Sequence, residues 1–313
     1  MVVYGEIHTG LIQHSHALSI RGTTELLAIA PGERVRVSAR PLAYARSPEF
    51  LTGLDCRLPV HGRTTRAVGT AIGRAVAVGG RIVQGSTFTE LRRGDRPYRL
   101  PWSHYLARPG VLETIGKCDL SKMVTDVGAE TLARDALNLA AVSQRTLDLL
   151  RRRPGLDRRA PFRARSTRLR WIAYTPGEFA SRPDDTATVS FTIKDSPQRI
   201  LILRSRETAP RALATLCEDI AVHDWLVTTL SEILDRTGIG SRDRPEVIAR
   251  LFPTIDHLLP LWMPSVRVEP SLRGVWPALE KNPGFTRQWE NLVQRIRDQF
   301  TVAAVTSAMH APP

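Results

Sequence analysis

The chain has 313 residues, of which 42% are hydrophobic and 24% charged, with a formal charge of +13. This is globular composition, enough for about two average domains or one large one, and it excludes disorder throughout. Of the 44 basic residues only Lys117, Lys122, Lys194 and Lys281 are lysine, an arginine bias of the kind a GC-rich genome writes. Cys56, Cys118 and Cys217 are dispersed and odd in number, so they form no CxxC pair or disulfide framework and fit a reducing compartment. The opening MVVYGEIHTG has no basic region followed by an apolar run, which argues against a signal peptide. No apolar stretch approaches the ~20 residues of a membrane span, and the expected location is the cytoplasm.

Residues 1–116 read as a β-rich part. Residues 2–12 and 33–40 are strand candidates, with Pro31-Gly32 as a turn and a short helix at 23–30 capped by Thr23 or Thr24. Residues 68–78 and 81–91 are extended runs joined by Gly79-Gly80, which supplies the positive φ angles of a tight primed turn. Residues 99–110, RLPWSHYLARPG, are framed by Pro101 and Pro109 and predict an ordered aromatic loop packed on the sheet, with Trp102, His104 and Tyr105.

Residues 117–166 read as a helix followed by a connector. Leu132, Ala136, Leu139, Val142, Leu147 and Leu150 give residues 126–153 an apolar helical face that Pro154-Gly155 ends. Arg151, Arg152 and Arg153 suit the negative end of that helix dipole. Residues 154–166 then predict an arginine-rich linker.

Residues 167–305 predict a second α+β part. Residues 167–175, 186–194 and 198–205 read as a three-stranded meander, with Asp195-Ser196-Pro197 as a turn. A long amphipathic helix at 210–237 packs across it, started by Pro210 and stopped by Gly238. Residues 242–300 read as helical pieces broken by proline, including the tryptophan segment LLPLWMP around Trp262 and a last helix at 285–300. Residues 306–313 predict a frayed tail. The fold class is therefore α+β: a β-rich N-terminal part, a meander packed by a long helix, and a helical C-terminal part. Whether the two β-rich parts share one sheet stays open.

The candidate chemistry is sparse. Asp219 lies one helical turn before His223, in the apolar stripe of Leu216, Ile220, Val227 and Leu230. A carboxylate holding an imidazole is the geometry of a general base or a supported metal ligand, or else of a buried histidine satisfied internally. His8, His14 and His16 share the parity of one strand face, an acceptable metal spacing that lacks a nearby cysteine; a polar strand end is the competing reading. Cys56 with His61 nearby reads as a nucleophile and base or as a strand residue pointing inward. Residues 110–118, GVLETIGKC, miss the phosphate-loop pattern in glycine spacing and in the Ser/Thr position. No HExxH, GxSxG or GxGxxG occurs. No cofactor and no metal are expected.

Residues 151–170 hold nine arginines against one acid, Asp157. With Phe162 and Trp171 they suit phosphates and stacked bases, an acidic partner protein, or a solvated linker.

Several segments together resemble an actinobacterial family known after a Streptomyces hypothetical protein: GEIHTGLIQHS (5–15), LTGLDCRLP (51–59), RLPWSHYLARPGVLE (99–113), LDRRAPFRARSTRLRW (156–171) and CEDIAVHDWLVTTL (217–230). The resemblance implies a component of a multi-gene cytosolic system, encoded near a variant P-loop protein and a methyltransferase-like protein. It implies no activity and carries no catalytic residues over. The leading expectation is a non-enzymatic scaffold or adaptor that binds proteins of its own gene cluster, the variant P-loop protein among them. Its contacts would be Trp102, His104, Tyr105, Trp262 and the arginines Arg151, Arg152, Arg153, Arg158, Arg159, Arg163 and Arg165. The alternatives are nucleic-acid binding through residues 151–171 and an enzyme centred on Asp219 and His223.

Overall fold

The computed structural model describes residues 1–60, 63–116, 120, 135–175, 188–206, 209–239 and 243–309. The strands are β1 (Val2–Leu11), β2 (Arg36–Ser38), β3 (Tyr44–Arg46), β4 (Phe50–Val60), β5 (Arg63–Val78), β6 (Ile82–Arg93), β7 (Val111–Thr114), β8 (Thr167–Tyr174), β9 (Thr188–Ile193) and β10 (Gln198–Arg204). The helices are α1 (Ile20–Leu27), α2 (Trp102–Leu106), α3 (Leu139–Arg151), α4 (Pro210–Thr237), α5 (Arg244–His257), α6 (Trp276–Lys281) and α7 (Phe285–Met309).

The Gly79-Gly80 turn forms as the sequence requires, with φ of 59° and 61°, and closes the β5–β6 hairpin from Val78 opposite Ile82. β6 pairs with β1, β1 with β8, and β8 with β10. One mixed sheet therefore runs through both β-rich parts, which answers the question the sequence left open. β4 and β3 lie along the other side of β5, and β7 wedges between β5 and β6, antiparallel to the first and parallel to the second.

The α+β class, with its β-rich start and helical end, is observed. The meander is not. β10 sits between β8 and β9 and runs parallel to β8, so β9–β10 is a hairpin docked by its second strand. Burial explains the order. β10 carries Ile200, Leu201, Ile202 and Leu203 and takes the inner place, whereas Thr188, Ser190 and Thr192 leave β9 exposed at the edge.

The two faces of the sheet are covered differently. Ile7, Phe88, Leu169, Trp171 and Leu201 face α4, and α5, α6 and α7 contribute side chains to the same apolar cluster. Trp171 lies flat over Gly5, where a Cβ would come within 2.4 Å of the indole. On the opposite face α3 approaches β6 closely because Gly85 has no side chain; a Cβ there would sit 2.0 Å from the Ser143 carbonyl. α4 starts at Pro210 and ends at left-handed Gly238 (φ 73°), as its sequence predicts. It is buried on nearly every side, so its polar residues must find partners inside the protein.

Several boundaries differ from the sequence reading. α1 starts earlier than predicted because Ser19, not Thr23 or Thr24, caps it by accepting the Gly22 N–H at 3.1 Å. The proline-framed loop contains α2, one helical turn whose Tyr105 hydroxyl accepts the Leu100 N–H at 3.1 Å. The predicted helix over 126–153 is described only as α3, capped by Asn138; residues 126–134 lie outside the described residues. α5 runs through Pro253 instead of breaking there, and α7 continues past Phe300 through its small residues.

Candidate interaction surface

The pair that looked most like chemistry is part of the core. Asp219 and His223 are each 1% exposed. His223 Nδ1–H donates to the Asp219 backbone carbonyl at 2.7 Å and lies 3.6 Å from its carboxylate. That carboxylate accepts the Ser265 N–H at 2.9 Å and Arg267 Nε–H at 3.2 Å, tying α4 to the segment before α6. The rings of Trp262 and Trp276 stand edge-on to the imidazole at 4.9 and 5.2 Å. Burial therefore keeps His223 neutral by lowering its pKa. Nε2 of His223, Oγ of Ser265 and Nη2 of Arg267 are buried without a hydrogen-bond partner among the described residues. Among the described residues the pair joins α4 to the segment before α6 and is enclosed by tryptophan.

Trp262, expected as an interface anchor, is used internally, stacked on Trp289 at 4.6 Å and 6°. The three histidines do not converge. His8 on β1 has Nδ1 2.8 Å from Ser143 Oγ, while His14 and His16 lie beyond the end of β1. His14 Nδ1 accepts the Asp157 N–H at 3.1 Å, and His16 Nδ1 contacts Ser15 Oγ at 2.9 Å. The expectation that His14 and His16 share a strand face with His8 is thus corrected: the chain leaves the sheet at Leu11 to meet residues 157–159. Among the described residues no group of three His, Cys, Asp or Glu is placed to hold a metal ion. Cys56 is buried on β4, and burial pushes its thiol up to about 12, far from a reactive thiolate; His61 and Cys118 lie outside the described residues.

The arginine run divides in two. Four of its members serve the fold. Arg151 Nη2 donates to Ser166 Oγ at 2.7 Å and Arg153 Nη2 to the Ala28 carbonyl at 2.7 Å. Arg168 and Arg170 grip the buried Glu6 at 2.9 and 2.6 Å. The side chains of Arg152, Arg158, Arg159, Arg163 and Arg165 are exposed. Arg152 lines an open groove of about 850 Å³ beside Leu149, Val142 and Phe50.

The segment carrying the other four is a fixed strap, which corrects its reading as a linker. The Arg158 N–H donates to the Gln13 carbonyl at 3.0 Å. The carbonyls of Arg163 and Arg165 accept Arg236 Nη1–H at 3.0 Å and Trp225 Nε1–H at 2.8 Å. Asp157, the one acid of the run, is held well below the usual carboxylate range by hydrogen bonds from Ser15. Ala160, Phe162 and Ala164 pack inward on the core, so their arginine neighbours are left pointing out. Trp171 is fully buried and Phe162 half-buried, so neither offers a stacking face beside the strap.

The second surface surrounds α2. Trp102 is 37% exposed, with the Arg99 guanidinium 5.0 Å above its ring. His104 Nε2 lies 2.9 Å from Glu113 Oε2, and Arg108 Nη1 2.7 Å from Glu113 Oε1. The bonds to His104 and Arg108 lower the Glu113 pKa against the opposing effect of burial, its largest single influence. His104, Tyr105, Arg108 and Glu113 form one wall of a cleft of about 570 Å³ whose other wall is the end of β6 and the loop after it, with Arg92, Arg93, Arg96 and Tyr98. His104 and Tyr105 are legible in the sequence as candidates here, whereas these arginines are not, because they are interspersed with Gly94, Asp95 and Pro97. The Arg-Arg-x-x-Arg-x-Tyr spacing across a loop was the available signal.

Compared with known protein families, curated proteins and solved structures, the chain matches none.

Proposed function

We propose that the protein is a non-enzymatic adaptor of the cytoplasm that docks an acidic partner protein on the arginine strap. The observation that carries this reading is the fixed backbone under Arg158, Arg159, Arg163 and Arg165, whose side chains are exposed. A ridge whose backbone is ordered before binding loses less entropy on docking than a flexible linker does. Arranged charge of one sign steers and orients an oppositely charged partner. The enclosure of Asp219 and His223 weighs against an enzyme centred on them. Nucleic acid is the weaker reading because the strap has guanidiniums without an exposed ring for bases to stack on. The family resemblance suggests the partner: a protein of the same gene cluster, the variant P-loop protein first among them.

The test is co-expression with each gene neighbour and calorimetry of any complex, for the native chain and for Arg158→Gln/Arg159→Gln/Arg163→Gln/Arg165→Gln. The expected result is a complex that weakens about tenfold or more in the variant and with rising salt. A complex indifferent to the four substitutions, or a salt-sensitive shift of RNA or DNA probes with no protein partner, refutes the adaptor reading.

A further inference from the structure

The cleft beside α2 is a separate feature with its own chemistry. At about 570 Å³ it has the size of a small-molecule site. Its loop wall is tied down: the Gly94 N–H donates to the Thr114 carbonyl at 3.1 Å, and the Leu100 N–H to Tyr105 at 3.1 Å. Four arginines line it against two carboxylates, Asp95 and Glu113. Arg108 spends one nitrogen on Glu113, and Arg92 spends two on Glu90 at 2.7 and 3.0 Å. A guanidinium has five N–H donors, so both retain donors for another anion. Arg96 differs from both. Among the described residues its guanidinium meets no carboxylate; it lies over the Tyr98 ring, 5.9 Å from the centroid, and reaches the Tyr98 hydroxyl at 3.4 Å. Tyr98 itself is 58% exposed, so the ring that carries Arg96 on one side still presents aromatic surface to the cleft.

We propose that this cleft binds a nucleoside phosphate, its phosphates held by Arg92, Arg96 and Arg108 and its base laid on Tyr98. Guanidinium forks match phosphate oxygens in geometry and charge. A planar base is the group that both fills the remaining space and uses an exposed phenol ring that phosphate alone leaves in water. The proposal concerns a different surface from the strap, so it stands or falls without the adaptor reading.

The experiment is isothermal titration of the full chain with ATP, tripolyphosphate and adenosine, near physiological salt. The expected order is ATP tightest, tripolyphosphate weaker and adenosine weakest. Arg96→Gln weakens ATP and tripolyphosphate about tenfold, the scale of one charge-assisted contact. Tyr98→Ala weakens ATP and leaves tripolyphosphate unchanged. Arg96 and Tyr98 are both exposed, and an unchanged melting temperature verifies that the variants fold. No saturable binding of ATP, equal affinity for ATP and tripolyphosphate, or indifference to Arg96→Gln overturns the proposal.

Discussion

Removing Arg74 tests whether the buried charges of this protein are structural. Arg74 is 0% exposed on β5 and Glu218 is 2% exposed on α4. They pair through two parallel bonds, Nε to Oε1 at 2.7 Å and Nη2 to Oε2 at 2.9 Å. Nη2 also donates to Thr215 Oγ1 at 3.1 Å, and Nη1 lies 3.5 Å from the half-exposed Glu49 carboxylate without a hydrogen bond of its own. Arg74→Met leaves the Glu218 carboxylate enclosed without its cation, which costs about 3–5 kcal/mol. Glu218→Leu falls at the lower end of that range, because Glu49 still offers Arg74 an anion. The double variant Arg74→Met/Glu218→Leu removes both charges together and stays within about 1–2 kcal/mol of the native chain, because desolvating the pair cancels most of its attraction. A double-mutant cycle from urea unfolding curves therefore yields a coupling of about 4 kcal/mol or more, because the two single losses together far exceed that of the double variant. Since a domain is stable by only about 5–15 kcal/mol, the Arg74 variant alone has a visibly lower midpoint. A single substitution costing under about 1 kcal/mol, or a double variant equal to the sum of its parts, refutes the reasoning.

Two further outcomes follow from the same packing. Burial is the main cause that lowers the His8 pKa to about 4, with Glu6 opposing and Arg168 assisting. The unfolded imidazole titrates near 6.5, so below that pH the unfolded chain binds the extra proton and stability falls as pH drops from about 6.5 to 4. The integrated loss is about 2–3 kcal/mol; His8→Asn should flatten this limb in unfolding curves taken across that range, and an unaltered slope would exclude His8 as its source. Gly85→Val should detach α3 from β6, because its Cβ would fall 2.0 Å from the Ser143 carbonyl. The expected loss is about 3 kcal/mol or more in unfolding midpoint, with earlier proteolytic cleavage at α3; a stable variant would mean that α3 can retreat without cost.

Much of the local structure was legible from residue patterns. The Gly79-Gly80 turn, the Pro210 start and Gly238 stop of α4, and the placing of β1, β6, β8 and β10 all rest on constraints of a few neighbouring residues. Such constraints act before any tertiary contact forms, which is why they can be read from the chain. The cap of α1 was misread because Ser19 and Thr23 are equally able to accept an N–H; the surrounding chain selects between them.

Strand order and the use of the polar residues were decided only in three dimensions. The sequence of β10 shows an apolar run, but the preference for an inner, parallel place beside β8 depends on β9 being the more polar strand and on what each can bury. The nine arginines of residues 151–170 are chemically alike in the sequence. Glu6 and the Ala28 carbonyl, brought from distant positions, and Ser166 of the run itself turn four of them inward, while the inward packing of Phe162 holds their neighbours in water. Asp219 and His223 were correctly placed on one helical face, but whether that face opens onto solvent is set by Trp262 and Trp276, some forty to fifty residues further along. Local propensity sets which stretches become helix, strand or turn; desolvation, which depends on every neighbour at once, fixes whether their charged groups hold the fold or meet a partner.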